Sequence, residues 1–282
     1  MKNSADKIVI ATRKSPLALK QADLVAELIR HKLSFDVELL PMSTTGDRQT
    51  SWSLQDKGGK GLFTKELESA LLENRADIAV HSAKDLPTEN PNGLTLAAFL
   101  KREDPRDVLV KKNHSNVKII ASGSPRRIAQ MKLRFPSASW IELRGNVGTR
   151  LRKIASEGEA DATILAAAGL SRLGIEEHTG IIFEKLSVTE MVPAPGQAAI
   201  AVQVRDNEKE KFIKLDDPET SRAVKIERGI LARLGGGCQV ALGVHVRGDE
   251  LFFFHEKCGI QDLKIFGLSD DEIFQKVLTW IN

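Results

Sequence analysis

An α/β fold, with helices covering both faces of mostly parallel sheets, is the class that this 282-residue chain predicts. Two observations carry that reading. Short runs rich in Val, Ile and Ala, bounded by turn residues, alternate with longer stretches whose apolar residues recur at helical spacing. One local pattern of strand, short turn, Ser, Pro and helix is also written twice, as Ile10-Ala11-Thr12-Arg13-Lys14-Ser15-Pro16 and as Ile120-Ala121-Ser122-Gly123-Ser124-Pro125. Two domains built alike are therefore expected, with a smaller third unit after them.

Taken in order, Ile8 to Ala11 reads as the first strand. Ser15 then caps a helix with Pro16 at its first position and Leu17, Leu24, Val25, Leu28 and Ile29 on its inner face. Val37 to Leu40 is a second strand. Ser43 to Gly61 is a long polar segment of the kind that serves as a lid or loop. A helix over Leu62 to Arg75 follows, then strands at Ile78 to His81 and Leu94 to Leu100. The polar turn Lys101 to Asp107 marks a crossing into a second domain. That domain has strands at Val108–Val110, Ile119–Ala121, Trp140–Leu143, Ala162–Leu165 and Ile181–Leu186. Its helices are expected after Ser124, near Asn146 and over Ala166 to Arg172. Pro193 and Pro195 break regular structure, and the apolar run Ala198 to Val204 returns the chain to the first domain. A helix from Pro218 through Leu234 ends at Gly235-Gly236-Gly237-Cys238. Strands at Val240–Val246, Leu251–Phe254 and Leu263–Phe266 and a final helix from Ser269 complete a small α+β unit. The expected division is 1–101 with 193–216, then 102–192, then 217–282.

Composition limits the function. Hydrophobic residues make up 41% and charged residues 28%, ordinary for a soluble protein, and no apolar run approaches the ~20 residues of a membrane span. A cytoplasmic location and a monomer are the expectations. The net charge is only +3, there is no Tyr, and no block of five like charges occurs, which speaks against nucleic acid. The two cysteines, Cys238 and Cys258, have neither metal-ligand nor disulfide-framework spacing, and no metal is expected.

The positive charge is placed rather than spread. Arg13-Lys14, Gly59-Lys60-Gly61, Arg126-Arg127 and Arg144 to Arg150 all stand where a turn runs into a helix. Free N–H groups at such ends already favour an anion, and guanidinium forks grip carboxylates in pairs. The phosphate-loop and dinucleotide signatures do not fit these stretches, so a small polyanion without a nucleotide is expected. The decapeptide Ile78 to Pro87 is the chemical centre of the reading. Its buried strand empties into His81, Ser82, Lys84 and Asp85, at the strand end where an open α/β sheet binds ligands. His81 has no partner at a metal-binding interval and reads as a hydrogen-bonded structural residue. Three glycines before Cys238 free the backbone in a way that would suit covalent attachment through an exposed thiol, while a small buried residue is the default reading.

With these residues on the page, the chain resembles the porphobilinogen deaminase family. The matching blocks are Ala11 to Leu19, Gly58 to Phe63, Lys65 to Glu68, Ile78 to Pro87, Arg102 to Asp107, Leu143 to Arg150 and Gly236 to Val240. It departs from the family at Asp56, Gly123, Pro125, Pro195, Ala199 and Gly235, and matches poorly beyond about residue 246. The resemblance implies two similar periplasmic-binding-protein-like α/β domains plus a small α+β C-terminal domain. It implies a transferase that condenses four porphobilinogen molecules head to tail, with loss of ammonia, into hydroxymethylbilane. The growing oligomer is built on a dipyrromethane cofactor, which the family attaches by a thioether to the residue matching Cys238. Asp85 matches the catalytic aspartate. Cofactor binding falls to Ser15, Lys84, Arg126, Arg127, Arg144 and Arg150, and substrate binding to Arg13, Lys60, Phe63, Arg172 and Gln197. The alternative is a non-catalytic two-lobed binding protein for a small carboxylate.

Overall fold

A computed structural model describes residues 7–48, 61–113, 116–235 and 240–281. Its elements run β1 (Lys7–Arg13), α1 (Pro16–Leu33), β2 (Asp36–Met42), α2 (Thr45–Arg48), α3 (Lys65–Leu72), β3 (Ile78–Ser82) and β4 (Leu94–Phe99). Next come β5 (Asp107–Lys112), β6 (Ile119–Ala121), α4 (Pro125–Arg134), β7 (Ser139–Ile141), α5 (Val147–Arg152), β8 (Ala162–Ala166), α6 (Ala167–Arg172) and β9 (Ile181–Lys185). The chain closes with β10 (Ile200–Arg205), α7 (Lys209–Phe212), α8 (Pro218–Arg233), β11 (Leu242–Arg247), β12 (Glu250–His255), β13 (Gly259–Lys264) and α9 (Asp270–Thr279). Contacts divide the described residues into two compact units. One holds 7–48, 61–103 and 199–222, the other 104–113, 116–198, 223–235 and 240–281.

The first unit is built on a five-stranded sheet in the order β2-β1-β3-β10-β4. β1 lies parallel to β2 and β3, whereas β10 is antiparallel to both of its neighbours. Alternation along the strands decides which helix covers which face. Ile8, Ile10, Ile78 and Val80 point to the α1 face and pack with Val25 and Ile29; Ala11 and Ala79 point to the other face, against Leu67 and Leu71 of α3. The Ser15 hydroxyl accepts the Ala18 N–H, so α1 starts where its Ser-Pro pair predicts.

The second unit repeats the plan, with sheet order β7-β6-β8-β5-β9. β6 is parallel to β7 and β8, and β5 is antiparallel to β8 and β9. Leu109, Ile120 and Ile164 face Met131 of α4, while Val108, Val110 and Leu165 face Leu151 and Leu170. Ser124 caps α4 as Ser15 caps α1. In each sheet the antiparallel fourth strand comes from the far side of a crossing, β10 after the second domain's strands and β5 before them. The repeated sequence pattern is thus a repeated topology.

A three-stranded sheet, β11-β12-β13, packs on α8 and α9 through Val244, Phe253, Ile226, Ile230 and Ile273, and its other face meets Val188 and Val192. The approach to the second crossing is close. The Val244 N–H donates to Pro193 O at 2.9 Å, and a Cβ on Gly243 would stand 2.7 Å from Val192 O. Only glycine fits there without a shift.

Three expectations need adjusting. The helix expected from Leu62 starts at Lys65, because residues 61–64 form a turn. The last strand of the third unit, expected over Leu263 to Phe266, is instead Gly259–Lys264. Gly259, at φ 71, starts the return strand directly after the turn, and pairing of Phe254 with Ile260 sets its register. Phe266 is left 82% exposed. Within the long polar segment, Thr45–Arg48 is a short helical turn; Asp56 and Lys60, like Cys238, lie outside the described residues.

Candidate active site

In the first unit β1 is flanked by β2 on one side and β3 on the other, both parallel, so their carboxyl ends open on one edge. Arg13 ends β1, Ser15 opens α1, and β3 runs into the 3-10 turn Ala83–Asp85. The register that pairs Ala11 with Ala79 sets Arg13 level with His81. This is the topological switch point of an open sheet, where ligands bind. Asp85 is half-buried, and its carboxylate has no hydrogen-bond or ion-pair partner among the described residues. The neighbouring Ser82 hydroxyl is held by Gln21 of α1 at 2.9 Å.

Arg13 pairs with Asp47 through Nε, at 3.2 Å, and through Nη2, and lies over the Phe63 ring at 4.3 Å. Burial pushes the Asp47 carboxyl up, but its bonds to Arg13 and Thr44 and the Arg13 charge outweigh this and hold it below the usual carboxylate range. His81 is 6% exposed and bonds Gln203 at 3.1 Å. Burial pulls its imidazole down to about 4; the Gln203 bond opposes this and the Arg13 charge adds to it. The structural reading of His81 therefore holds.

A lowered histidine value means that the unfolded chain binds the proton first. Folding is unpenalised above pH 6.5, and stability falls as the pH drops from 6.5 toward 4, by about 3 kcal/mol in all. His81→Gln, which cannot take up that proton, is expected to flatten this part of the stability profile. Urea titrations at pH 7 and pH 4.5 check it; an unchanged slope in the variant rules the assignment out.

The second unit gathers cations at the equivalent strand ends. Arg126 and Arg127 follow β6, Arg144 and Arg150 follow β7, and Arg172 closes the helix after β8. Arg126 and Arg127 are only 4% and 8% exposed, and both turn inward to Asp107, which is fully buried. Arg126 Nη1 donates to Asp107 Oδ2 at 2.7 Å and to Val192 O at 2.7 Å. Arg127 donates to Asp107 Oδ1 through Nη2 at 2.7 Å and to Ile164 O through Nη1 at 2.8 Å. Burial lowers the Arg126 pKa; Asp107 opposes this and Arg127 reinforces it. Two guanidiniums share one carboxylate, and these three side chains carry surplus positive charge.

Gln197 is fully buried, with Nε2 donating to Pro105 O at 2.8 Å and to Asp107 Oδ1 at 3.1 Å. Arg172 Nη2 donates at 2.6 Å to the carbonyl of Ala198, a residue held at φ 70 where glycine is usual. Arg144 pairs with Glu142 through Nε at 2.9 Å, while its buried Nη2 has no partner among the described residues. Arg150 Nε donates to Gly145 O at 2.9 Å. Lys84 is half-buried beside Asp85.

Sequence reasoning missed the two acids that organise these arginines, Asp47 and Asp107. Asp47 stood in the polar segment beside Gly46, and Asp107 stood at the end of a charged turn. The available signal was an acid at a strand start for Asp107 and an acid beside a glycine for Asp47, both common in loops.

Residues 8–212 match the family model described as porphobilinogen deaminase, dipyromethane cofactor binding domain. A porphobilinogen deaminase of Chloroherpeton thalassium is 43% identical over 250 residues, covering 85% of this chain and 78% of the relative. Among solved structures, the periplasmic aliphatic sulphonate binding protein SsuA of Escherichia coli is 14% identical at a TM-score of 0.44, over 82% of this chain and 70% of that one. The periplasmic VFT2 domain of Bordetella pertussis BvgS is 16% identical at a TM-score of 0.43, over 74% and 84%.

Proposed function

The chain belongs to the porphobilinogen deaminase family, and on that premise we propose how its residues divide the condensation of porphobilinogen into hydroxymethylbilane. It is a transferase of porphyrin biosynthesis with a dipyrromethane-binding domain, and the non-catalytic binder is set aside. The observation that carries the assignment is Asp85, an unpartnered carboxylate at the carboxyl end of β3, on the sheet edge that Arg13 and Ser15 share.

Loss of ammonia from porphobilinogen leaves positive charge on its pyrrole. A carboxylate already fixed beside that nitrogen stabilises the charge without reorganisation, and Asp85 then takes up the pyrrole proton on a carboxylate oxygen after coupling. Substrate binding is assigned to Arg13, Lys60 and Phe63 of the first unit and, separately, to Arg172 of the second. Each charge-assisted hydrogen bond contributes about 1.5 to 3 kcal/mol. Gln197, with its amide committed to Pro105 and Asp107, acts by holding the buried arginine pair in place.

The residues of the second unit fit an anionic cofactor: the Arg126–Arg127 pair outweighs its single Asp107, and Arg144 keeps a buried, unpartnered Nη2. Arg126, Arg127, Arg144 and Arg150 of the second unit are assigned to its carboxylates, and Lys84 and Ser15 of the first unit are assigned to cofactor binding as well. When bound, dipyrromethane supplies the pyrrole terminus on which the oligomer is built, anchored through a thioether to Cys238. The same reading takes the protein as a cytoplasmic monomer that engages neither nucleic acid nor membrane. Intact-mass measurement tests the anchor. The purified chain is expected to exceed its sequence mass by one dipyrromethane, and Cys238→Ser to return it to the sequence mass; excess mass that survives the substitution removes Cys238 from this role.

A further inference from the structure

Arg13 leaves β1 with its guanidinium fixed on an edge and a face. Nε and Nη2 donate to the two oxygens of Asp47, and the planar group lies 4.3 Å above the Phe63 ring. The opposite edge, led by Nη1, has no partner among the described residues, and a guanidinium edge is matched to a planar carboxylate. Asp47 is itself anchored. Its Oδ2 also accepts the Thr44 N–H at 3.1 Å and the Thr44 hydroxyl at 2.8 Å. The same turn supports the ring: the Gly46 N–H donates to Leu62 O at 2.9 Å, and a Cβ on Gly46 would collide with Cε1 of the Phe63 ring. Arg13 is therefore held from two directions, by Asp47 that Thr44 anchors and by the Phe63 ring that Gly46 abuts.

We propose that Asp47 is a positioning residue for this reaction, setting the Arg13 guanidinium so that its Nη1 edge receives a carboxylate of porphobilinogen. This rests on Arg13 as a substrate-carboxylate binder, as proposed above. Asp47 does not touch the substrate; it removes the side-chain freedom that Arg13 would otherwise lose on binding. The side-chain carboxylates of porphobilinogen take no part in bond making or breaking, so the contact is made alike in ground and transition states. Its loss belongs in KM and not in kcat.

Steady-state kinetics of porphobilinogen consumption by the full-length protein with its cofactor bound provide the test. Asp47→Ala is expected to raise KM about tenfold with kcat within about threefold, and Asp47→Glu to recover part of the loss. Gly46→Ala, which must displace Phe63, is expected to raise KM in the same direction. In an Arg13→Ala background, Asp47→Ala is expected to change KM no further, because the two residues act as one unit. Additive losses in the double variant would mark a merely structural Asp47 and overturn the proposal. An unchanged KM in Asp47→Ala beside a raised KM in Arg13→Ala overturns it too, as does a lowered KM, which would mean that Asp47 competes with the substrate. An unchanged KM in Arg13→Ala instead overturns the substrate role of Arg13. If Asp47→Ala fails to fold, Asp47→Asn, which keeps the shape and one acceptor oxygen, carries the same comparison.

Discussion

Asp85→Asn is expected to keep the fold and the bound dipyrromethane while losing nearly all turnover, a fall of roughly 10³-fold in kcat or more. The argument starts from what the carboxylate lacks. It has no ionic or hydrogen-bonding partner among the described residues, so removing its charge uncompensates no neighbour, and the melting temperature should stay near that of the parent. Asparagine is nearly isosteric and retains one acceptor oxygen, yet it can neither balance a positive pyrrole nor take its proton. The defect should therefore appear in the chemical step and leave the intact mass unchanged. Single-turnover measurements with porphobilinogen, beside intact mass and thermal melting, check all three expectations. Near-normal turnover would refute the role of Asp85.

Asp107→Asn is expected to have the largest effect on stability. Asp107 is fully buried and answers two guanidiniums that are themselves almost wholly buried, one at each carboxylate oxygen. Taking away the anion leaves two cations in a site of low polarity. Breaking a buried pair in this way costs about 3 to 5 kcal/mol, because the remaining charge stays uncompensated. For a unit of this size that corresponds to a fall of about 10 °C in the melting temperature. The change also leaves one acceptor oxygen where Arg126, Arg127 and Gln197 use two, so the segment carrying Ala198 at φ 70 loses part of its support. Thermal unfolding followed by circular dichroism is the measurement. A variant melting within about 2 °C of the parent would show that Arg126 and Arg127 do not depend on Asp107.

The two acids account for the parts of the site that were not legible in advance. Arg13, Arg126 and Arg127 were singled out from their places at helix starts, where backbone N–H groups and fixed cations favour an anion together. Their partners were not, because Asp47 and Asp107 carry no local signature. Each acquires its role from residues distant in the chain: Asp47 from Arg13, 34 positions away, and Asp107 from Arg126 and Gln197, 19 and 90 positions away. The expectation that Arg126 and Arg127 turn toward a ligand said nothing of how deeply they are buried. The misplaced β13 has a similar origin: its register follows from pairing with β12, whereas the apolar pattern of Leu263 to Phe266 is compatible with more than one phase.

The sequence by itself determined the alternation of strands and helices, the Ser-Pro starts of α1 and α4, the repeat of one sheet plan, and the identity of the family. Those features are local or are carried by side-chain period and capping chemistry, which neighbours in the chain specify. Tertiary structure alone decided that β5 and β10 insert antiparallel into their sheets and that Asp47 holds Arg13. It also decided that one buried aspartate serves two arginines. Charge pairing and strand order depend on which distant segments burial brings together, and no local propensity records that.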